Sequence, residues 1–220
     1  MGLNAIIDRL LAGRNARKTA KLVAFCSDNI LYGTGLTVLD LGCGNGLFCH
    51  ALSELSLVSY AVGADVVDYR KESIDFQLHK EGEAIPFDDK SFDYTFIVEV
   101  LHHSDDPEHL LMEAVRVTRG SVVVFEDVVT SSIRLFFMRG FDILMNMRHG
   151  VNTPLNFKSE REWEQIFSRL NVSVQDIYDY SFYTMYSPQR CRVFILRVCP
   201  DATLRGKGNS APDKSIDKRL

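Results

Sequence analysis

Short apolar runs alternate with amphipathic stretches along most of this chain. Runs of about four to eight apolar residues between polar turns are typical of buried strands, and helical spacing is typical of helices that face a core. The pattern predicts helices over 3–32, 46–55 and 107–117 and strands over 37–41, 60–65, 93–98, 121–127, 172–178 and 191–198. This alternation indicates an α/β fold with a mainly parallel sheet and helices on both faces.

Two helix starts carry clear local signals. Pro107 follows two aspartates, which suits the first position of a helix. Ser159 and Glu162 have the spacing of a capping box, so a further helix is predicted to begin there. Trp163 and Phe167 lie one turn apart on that helix, and we expect them to pin it to the sheet.

Residues 130–163 form a predicted helical insert after the fifth strand of the sheet. The part between 132 and 148 is rich in Leu, Ile, Phe and Met and also carries arginines. We interpret it first as a lid or wall of an apolar acceptor pocket. A helix packed on the core or at a dimer contact is the second interpretation, and a helix resting on an anionic membrane surface is the third.

The chain is long enough for one domain with a substantial core, which we place at 1–200 with an N-terminal helical region at 1–35. The tail at 201–220 is nearly devoid of apolar residues and is predicted to be disordered. Aromatic residues recur near the last two strands and either line an acceptor site or anchor a loop; they are Tyr178, Tyr180, Phe182, Tyr183 and Tyr186.

A glycine-rich turn stands between the first strand and the helix that follows it. Gly42, Gly44 and Gly46 alternate there, and a turn of this kind lets a nucleotide-like ligand approach the backbone. The chain lacks the GxGxxG spacing of dinucleotide sites, and an acid, Asp40, lies inside the strand. Asp65 ends the second strand 19 residues after Gly46, close to the position of an acid that binds ribose hydroxyls.

Further blocks follow in order: GEAIPF at 82–87, SFD at 91–93, an apolar strand, and VLHH at 100–103. Together with the glycine turn, this series resembles the class I S-adenosylmethionine (SAM) methyltransferases over roughly 38–129. It is most similar to the small-molecule subgroup that includes the ubiquinone and menaquinone C-methyltransferases. The resemblance implies a Rossmann-like three-layer sandwich whose seven-stranded sheet has its last strand antiparallel.

The resemblance also implies SAM as cofactor and S-adenosylhomocysteine (SAH) as product. The cofactor-binding residues that it predicts are Asp40, Gly42, Cys43, Gly44, Asn45, Gly46, Asp65, Val66, Glu83, Ala84 and Glu99. Asp40 would suit the cationic part of SAM, and Asp65 the ribose hydroxyls. Glu83 would reach the adenine amino group with Ala84 beside the ring, although family members usually have Asp where Glu83 stands.

Methyl transfer from a sulfonium is an in-line displacement, so the enzyme mainly aligns the reactants and excludes water. A base is needed only where the acceptor must lose a proton. His102 and His103 follow a strand at its carboxyl end and are the candidate bases, and a capping or packing role is the alternative for each. Adjacent histidines rarely converge on one ion, so no metal site is expected.

Arg14 and Lys18 on the N-terminal helix are candidate partners for the SAM carboxylate, and a solvated helix face is the interpretation that we favour for them. The net charge of −4 argues against a nucleic-acid partner. Five scattered cysteines without a CxxC pair indicate reduced thiols, hence a cytoplasmic protein, with peripheral membrane contact through 132–148 as the alternative. No apolar run is long enough to span a bilayer.

The sequence therefore predicts a methyltransferase that acts on the oxygen or carbon of a small, apolar acceptor, as a monomer or homodimer. An Asn/Asp-Pro-Pro-Tyr motif of nucleic-acid N-methyltransferases is absent at 97–100. Two alternatives from other classes stay open. One is a SAM-binding protein without transferase activity, and the other is a peripheral membrane protein acting on lipid-like substrates. An RNA-modifying enzyme is a third, which the net charge does not favour.

Overall fold

Residues 3–129, 156–180 and 191–199 are those that the computed structural model describes, without the side chains of 3–12 and 14. The predictions for the insert at 130–155, for 181–190 and for the tail at 201–220 lie outside the described residues. They include the lid, dimer and membrane interpretations of 132–148.

Helices and strands alternate as the hydrophobic pattern predicts. The helices are α1 (Leu3–Asn29), α2 (Leu47–Ser53), α3 (Pro107–Val117) and α4 (Glu160–Phe167), with a 3₁₀ turn at Leu101–His103. The strands are β1 (Leu36–Leu41), β2 (Val58–Asp65), β3 (Asp75–Leu78), β4 (Phe92–Val98), β5 (Thr118–Asp127), β6 (Val172–Tyr180) and β7 (Cys191–Val198).

Strand β3 is missing from the strands that the hydrophobic pattern predicts. It has four residues, none of them buried, and it lies at one edge of the sheet. An edge strand buries little apolar surface, so its sequence carries almost no periodic signal.

The strand order is β3-β2-β1-β4-β5-β7-β6, and each pairing is parallel except those of β7, which runs antiparallel to β5 and β6. The predicted seven-stranded sheet with an antiparallel last strand is therefore confirmed. The chain builds outward from β1 to β3 and then returns to place β4 on the other side of β1. Ligands of open α/β sheets bind where the order reverses in this way, at the carboxyl ends of the strands.

Each face of the sheet has its own apolar core, which confirms the three-layer sandwich. On one face, Leu22 of α1 and Phe48 of α2 pack with Val38 of β1. On the other face, Leu111 of α3 and Trp163 of α4 pack in one core with strand residues that include the next residue of β1, Leu39. Successive strand residues point to opposite faces, so a continuous apolar run serves both cores.

The two predicted helix starts are confirmed. The side chain of Asp106 caps α3 by accepting from the backbone N–H of His109, with Pro107 in the first turn. Ser159 and Glu162 form both hydrogen bonds of a capping box at α4. The rings of Trp163 and Phe167 stack with centroids 6.3 Å apart and are buried, so they hold α4 on the sheet as expected.

The aromatic residues near the sheet end are described only in part. Tyr178 and Tyr180 pack edge-on against Phe25 of α1, with ring centroids 5.4 Å and 4.8 Å away. These two tyrosines therefore anchor α1 on the sheet. None of the helices that the structure describes combines the length and apolar character needed to cross a bilayer.

Gly120 allows a bulge in which β5 has one residue more than β4. A Cβ at this position would lie 2.2 Å from the backbone oxygen of Asp93. We expect Gly120→Ala to lower the free energy of unfolding in urea by about 1–3 kcal/mol, since overpacking forces the backbone to move.

The matched control is Gly13→Ala on α1, where a Cβ would have no neighbour within 4 Å. That change should leave stability unchanged or raise it by about 1 kcal/mol, because alanine is the better helix former. Equal stabilities for the two variants would show that β4 and β5 do not approach as described.

Candidate functional site

A cavity of about 540 Å³ opens where the strand order reverses, between the carboxyl ends of β1 and β4. Its wall combines α1, the glycine turn after β1, and the ends of β2 and β4. Most of the predicted cofactor residues line it, namely Asp40, Gly42, Cys43, Gly44, Asn45, Asp65, Val66 and Glu99. These predicted residues therefore line one cavity, although the cofactor role of each stays a prediction.

The glycine turn takes a conformation that favours glycine. Gly42, Gly44 and Gly46 have φ angles of 77°, 54° and 80°, in the left-handed region. A Cβ on Gly42 would lie 2.4 Å from the side chain of Val100, so the turn also packs tightly against the segment after β4. Gly46 is the N-cap of α2 and does not line the cavity.

Asp65 fixes the turn from the end of β2. The backbone N–H of Gly44 donates to one of its carboxylate oxygens at 2.8 Å, and that of Val66 donates to the other at 2.7 Å. The carboxylate thereby holds the turn and the start of the next loop together while lining the cavity.

Asp40 is a carboxyl with an unsatisfied oxygen in the cavity wall. It is 3% exposed, and its Oδ2 has no hydrogen-bond partner among the described residues. Burial, reinforced by the charge of Asp65, raises the pKa of Asp40 to about 7. A hydrogen bond from the Cys49 backbone lowers that pKa but does not offset the rise. A cationic ligand group beside Asp40 would relieve the cost of ionising this carboxyl.

Glu99 meets Lys18 of α1 across the cavity. Glu99 follows β4 with a φ of 57°, a left-handed conformation uncommon outside glycine, and accepts a hydrogen bond from the Lys18 ammonium. Burial alone would raise the pKa of Glu99, but the ammonium outweighs it and holds that pKa below its usual value.

The Lys18 side chain is 19% exposed and lines the cavity. The interpretation of Lys18 as part of a solvated helix face is therefore wrong, because α1 turns it toward Glu99. The side chain of Arg14 lies outside the described residues.

The two histidines occupy different places. His103 lines the cavity, whereas His102 is buried behind it with its Nδ1 2.7 Å from Glu126 Oε2. Burial and the neighbouring His102 hold the pKa of His103 near 4, with Glu99 opposing the shift. His103 is therefore neutral at physiological pH and has a nitrogen lone pair that can accept a proton.

Glu83 and Ala84 lie outside the cavity wall, and Glu81 lines it instead. The Glu83 side chain is 60% exposed and pairs with Lys80. Glu81 accepts from the Ser104 hydroxyl at 2.6 Å and from the Asp105 backbone at 3.1 Å. Two acids flank Gly82, and the sequence carries no local signal for which of them turns inward.

The wall also contains residues that sequence reasoning did not single out for the site, among them Asn15, Thr19, Tyr69, His79 and Ser104. They come from a helix face and from loops without periodicity, where sequence patterns say little about direction. No group of three or more His, Cys, Asp or Glu side chains that could hold a metal ion occurs within the described parts of the chain.

Two of the sequence blocks that carry the family resemblance, 91–93 and 82–87, make contacts that stabilise the fold. Asp93 accepts from the Thr37 backbone at 2.9 Å and from Arg119 at 2.7 Å, at the end of the sheet away from the cavity. Arg116 donates to the backbone oxygens of Ile85 and Phe87 and so fixes the loop before β4.

Residues 39–125 match a family model described as a methyltransferase domain. The ubiquinone biosynthesis O-methyltransferase of Candida albicans mitochondria is 34% identical over 107 residues, which is 40% of this chain and 31% of that protein. That of Maricaulis maris is 25% identical over 96 residues, 39% of this chain and 37% of the relative. The chain thus spans about a third of the length of the curated relatives it matches.

The fold is also that of solved methyltransferases. Magnesium protoporphyrin IX methyltransferase of Synechocystis PCC 6803, determined with bound SAH, superposes with a TM-score of 0.57 at 16% identity. The match covers 84% of each chain. At this identity the likeness shows the shared fold.

The raised pKa of Asp40 predicts how stability depends on pH. A carboxyl whose pKa is higher in the folded than in the unfolded state lowers the free energy of unfolding as pH rises. The loss begins near the pKa of the unfolded state and is complete once the pH has passed the pKa of the folded state. For Asp40 that window runs from 3.8 to about 7. The unfolding free energy of Asp40→Asn minus that of the wild type should therefore be larger at pH 8 than at pH 5, by roughly 1–3 kcal/mol.

Urea denaturation at the two pH values measures this difference. Asp88→Asn is the control, since Asp88 is exposed. A difference between wild type and Asp40→Asn that does not change with pH would mean that Asp40 ionises normally.

Proposed function

We propose that this chain is a class I SAM-dependent methyltransferase that transfers a methyl group from SAM to a small, apolar acceptor. The observation that carries the proposal is Asp40, a buried carboxyl with a free oxygen in a cavity built by the glycine turn. A site for a cation is of little use to a phosphate-bearing dinucleotide, whereas the methionine part of SAM carries a sulfonium and an ammonium.

The residues present fit SAM group by group. Asp40 and Glu99 would face its cationic centres, and Lys18 would take its carboxylate. Asp65 would accept from the ribose hydroxyls, with Val66 beside it, and Glu81 would take the adenine-side position that the sequence assigned to Glu83. When bound, the cofactor supplies a methyl group already activated on sulfur.

The chain's own contribution is alignment and proton handling. The helix α1 contributes Lys18 and Leu22 to the cavity wall, where they would help to align the reactants. His103 is the candidate base, because it lines the cavity and is neutral at physiological pH. It would accept, at a ring nitrogen, the proton that a hydroxyl acceptor loses as the new bond forms, and would pass it to solvent because its pKa lies near 4.

Methylation of oxygen is the reaction type that we favour over that of carbon. Both curated relatives are named as O-methyltransferases of ubiquinone biosynthesis, and this is the ground for the preference. A SAM-binding protein without transferase activity is the disfavoured alternative, since it gives His103 no task. The cytoplasmic location, the monomer or homodimer state and membrane contact through 132–148 stay predictions.

The direct test is calorimetry with SAM and SAH on the purified protein. Micromolar affinity for both is expected, and no binding by folded protein would overturn the proposal. SAM affinity should rise up to about tenfold from pH 6 to pH 8, because binding a cation beside Asp40 favours its ionised form. Asp40→Asn should weaken binding and abolish this rise, and SAH, which lacks the sulfonium charge, should show a smaller one.

Glu81 and Glu83, the two acids on either side of Gly82, give a matched pair of variants. Glu81→Gln should weaken SAM binding about tenfold, on the scale of a lost charge-assisted hydrogen bond. Glu83→Gln should leave the dissociation constant within about twofold, because that side chain points into solvent. If calorimetry shows that Glu83→Gln weakens SAM binding more than Glu81→Gln does, the adenine contact belongs to Glu83.

A further inference from the structure

The 3₁₀ turn at Leu101–His103 carries His103 into the cavity wall, and one buried carboxylate holds it from inside. Glu126 of β5 is 0% exposed and does not line the cavity. Its Oε1 accepts from the backbone N–H of Leu101 at 2.6 Å, and its Oε2 lies 2.7 Å from Nδ1 of His102. Both carboxylate oxygens therefore act on the same turn.

Other contacts fix the turn from outside. The backbone N–H of Asn156 donates to the oxygen of His102 at 2.9 Å, and its side-chain amide donates to the oxygen of Ser104 at 2.8 Å. The ring of Phe157 stacks on that of His102 with centroids 4.6 Å apart. His102 is thus held between Glu126 and residues 156–157, and its ring lies 4.1 Å from the ring of His103.

Where Glu126 is ionised, its contact with Nδ1 sets the tautomer of His102. An ionised carboxylate only accepts hydrogen bonds, so the contact requires a proton on Nδ1. A glutamine could still accept from Leu101, but its amide would then offer a donor to Nδ1 and reverse the tautomer.

Keeping a carboxylate at this depth is also costly. Burial of a charge is unfavourable unless hydrogen bonds compensate, and a further acid, Asp127, lies close enough to Glu126 to interact. A neutral residue would hold the turn more cheaply, which points to a task for the charge.

We propose that Glu126 is a positioning residue of the methyl-transfer site, which acts through the Leu101–His103 turn and the tautomer of His102 to hold His103 at the cavity. The inference rests on the proposed function for what His103 does there. The contacts of Glu126 themselves are independent of any cofactor.

The experiment is nitrogen NMR on protein labelled with ¹⁵N-histidine, with and without SAH as the probe. In the wild type, Nδ1 of His102 should carry a proton. In Glu126→Gln that proton should be lost and the His103 signals should shift, while SAH affinity stays within about twofold because Glu126 lies outside the cavity.

Glu113→Gln is the matched control. Glu113 also accepts from a backbone N–H, that of Ile85 at 2.8 Å, but it lies on α3 and serves a different loop. This variant should leave the signals of His102 and His103 unchanged.

An unprotonated Nδ1 of His102 in the wild type would overturn the inference without any variant, even if Glu126→Gln did not fold. Unchanged His103 signals in a folded Glu126→Gln protein would overturn it as well. Failure of the wild type to bind SAH, with the tautomer as expected, would instead count against the proposed function alone.

Discussion

The parallel pairing of β1 with β4 is the constraint on which the site depends. Because β2 and β3 extend the sheet on one side of β1 and β4 lies on the other, the segments that leave β1 and β4 start side by side at the carboxyl edge where the strand order reverses. The glycine turn follows β1, and Glu99 follows β4. Gly42 has no side chain, so Val100 approaches its backbone and the two segments form one wall.

Buried charge is concentrated around that wall. Asp40 faces the cavity, Glu99 pairs with Lys18, and Glu126 holds the histidine turn. Burial and the charges of Glu99 and Glu126 raise the pKa of Asp127 to about 7, so the fold keeps several acids at a cost in stability. The arrangement is explained if a cationic ligand and a positioned base are needed at the same edge of the sheet.

Local sequence patterns predicted the parts of the site that depend on neighbours along the chain. The glycine turn and Asp65 were found because turn chemistry and the end of a strand are local features. Strand β3, the place of Glu81 in the cavity wall and the position of Lys18 were missed. Each of these depends on which side of an edge strand, loop or helix faces another element, and the hydrophobic pattern is weak there.

The sequence by itself determined the α/β class, the order of helices and strands apart from β3, and the existence of a histidine pair after β4. Through its resemblance to a known family it also predicted the cofactor class. Periodicity and short motifs encode these features within a few residues. Only the tertiary structure separated His103 in the cavity from His102 on Glu126, and Glu81 from Glu83. The physical reason is that these choices are made by contacts between residues distant in the chain. His102 and Glu126, for example, are 24 residues apart, and no local pattern records their contact.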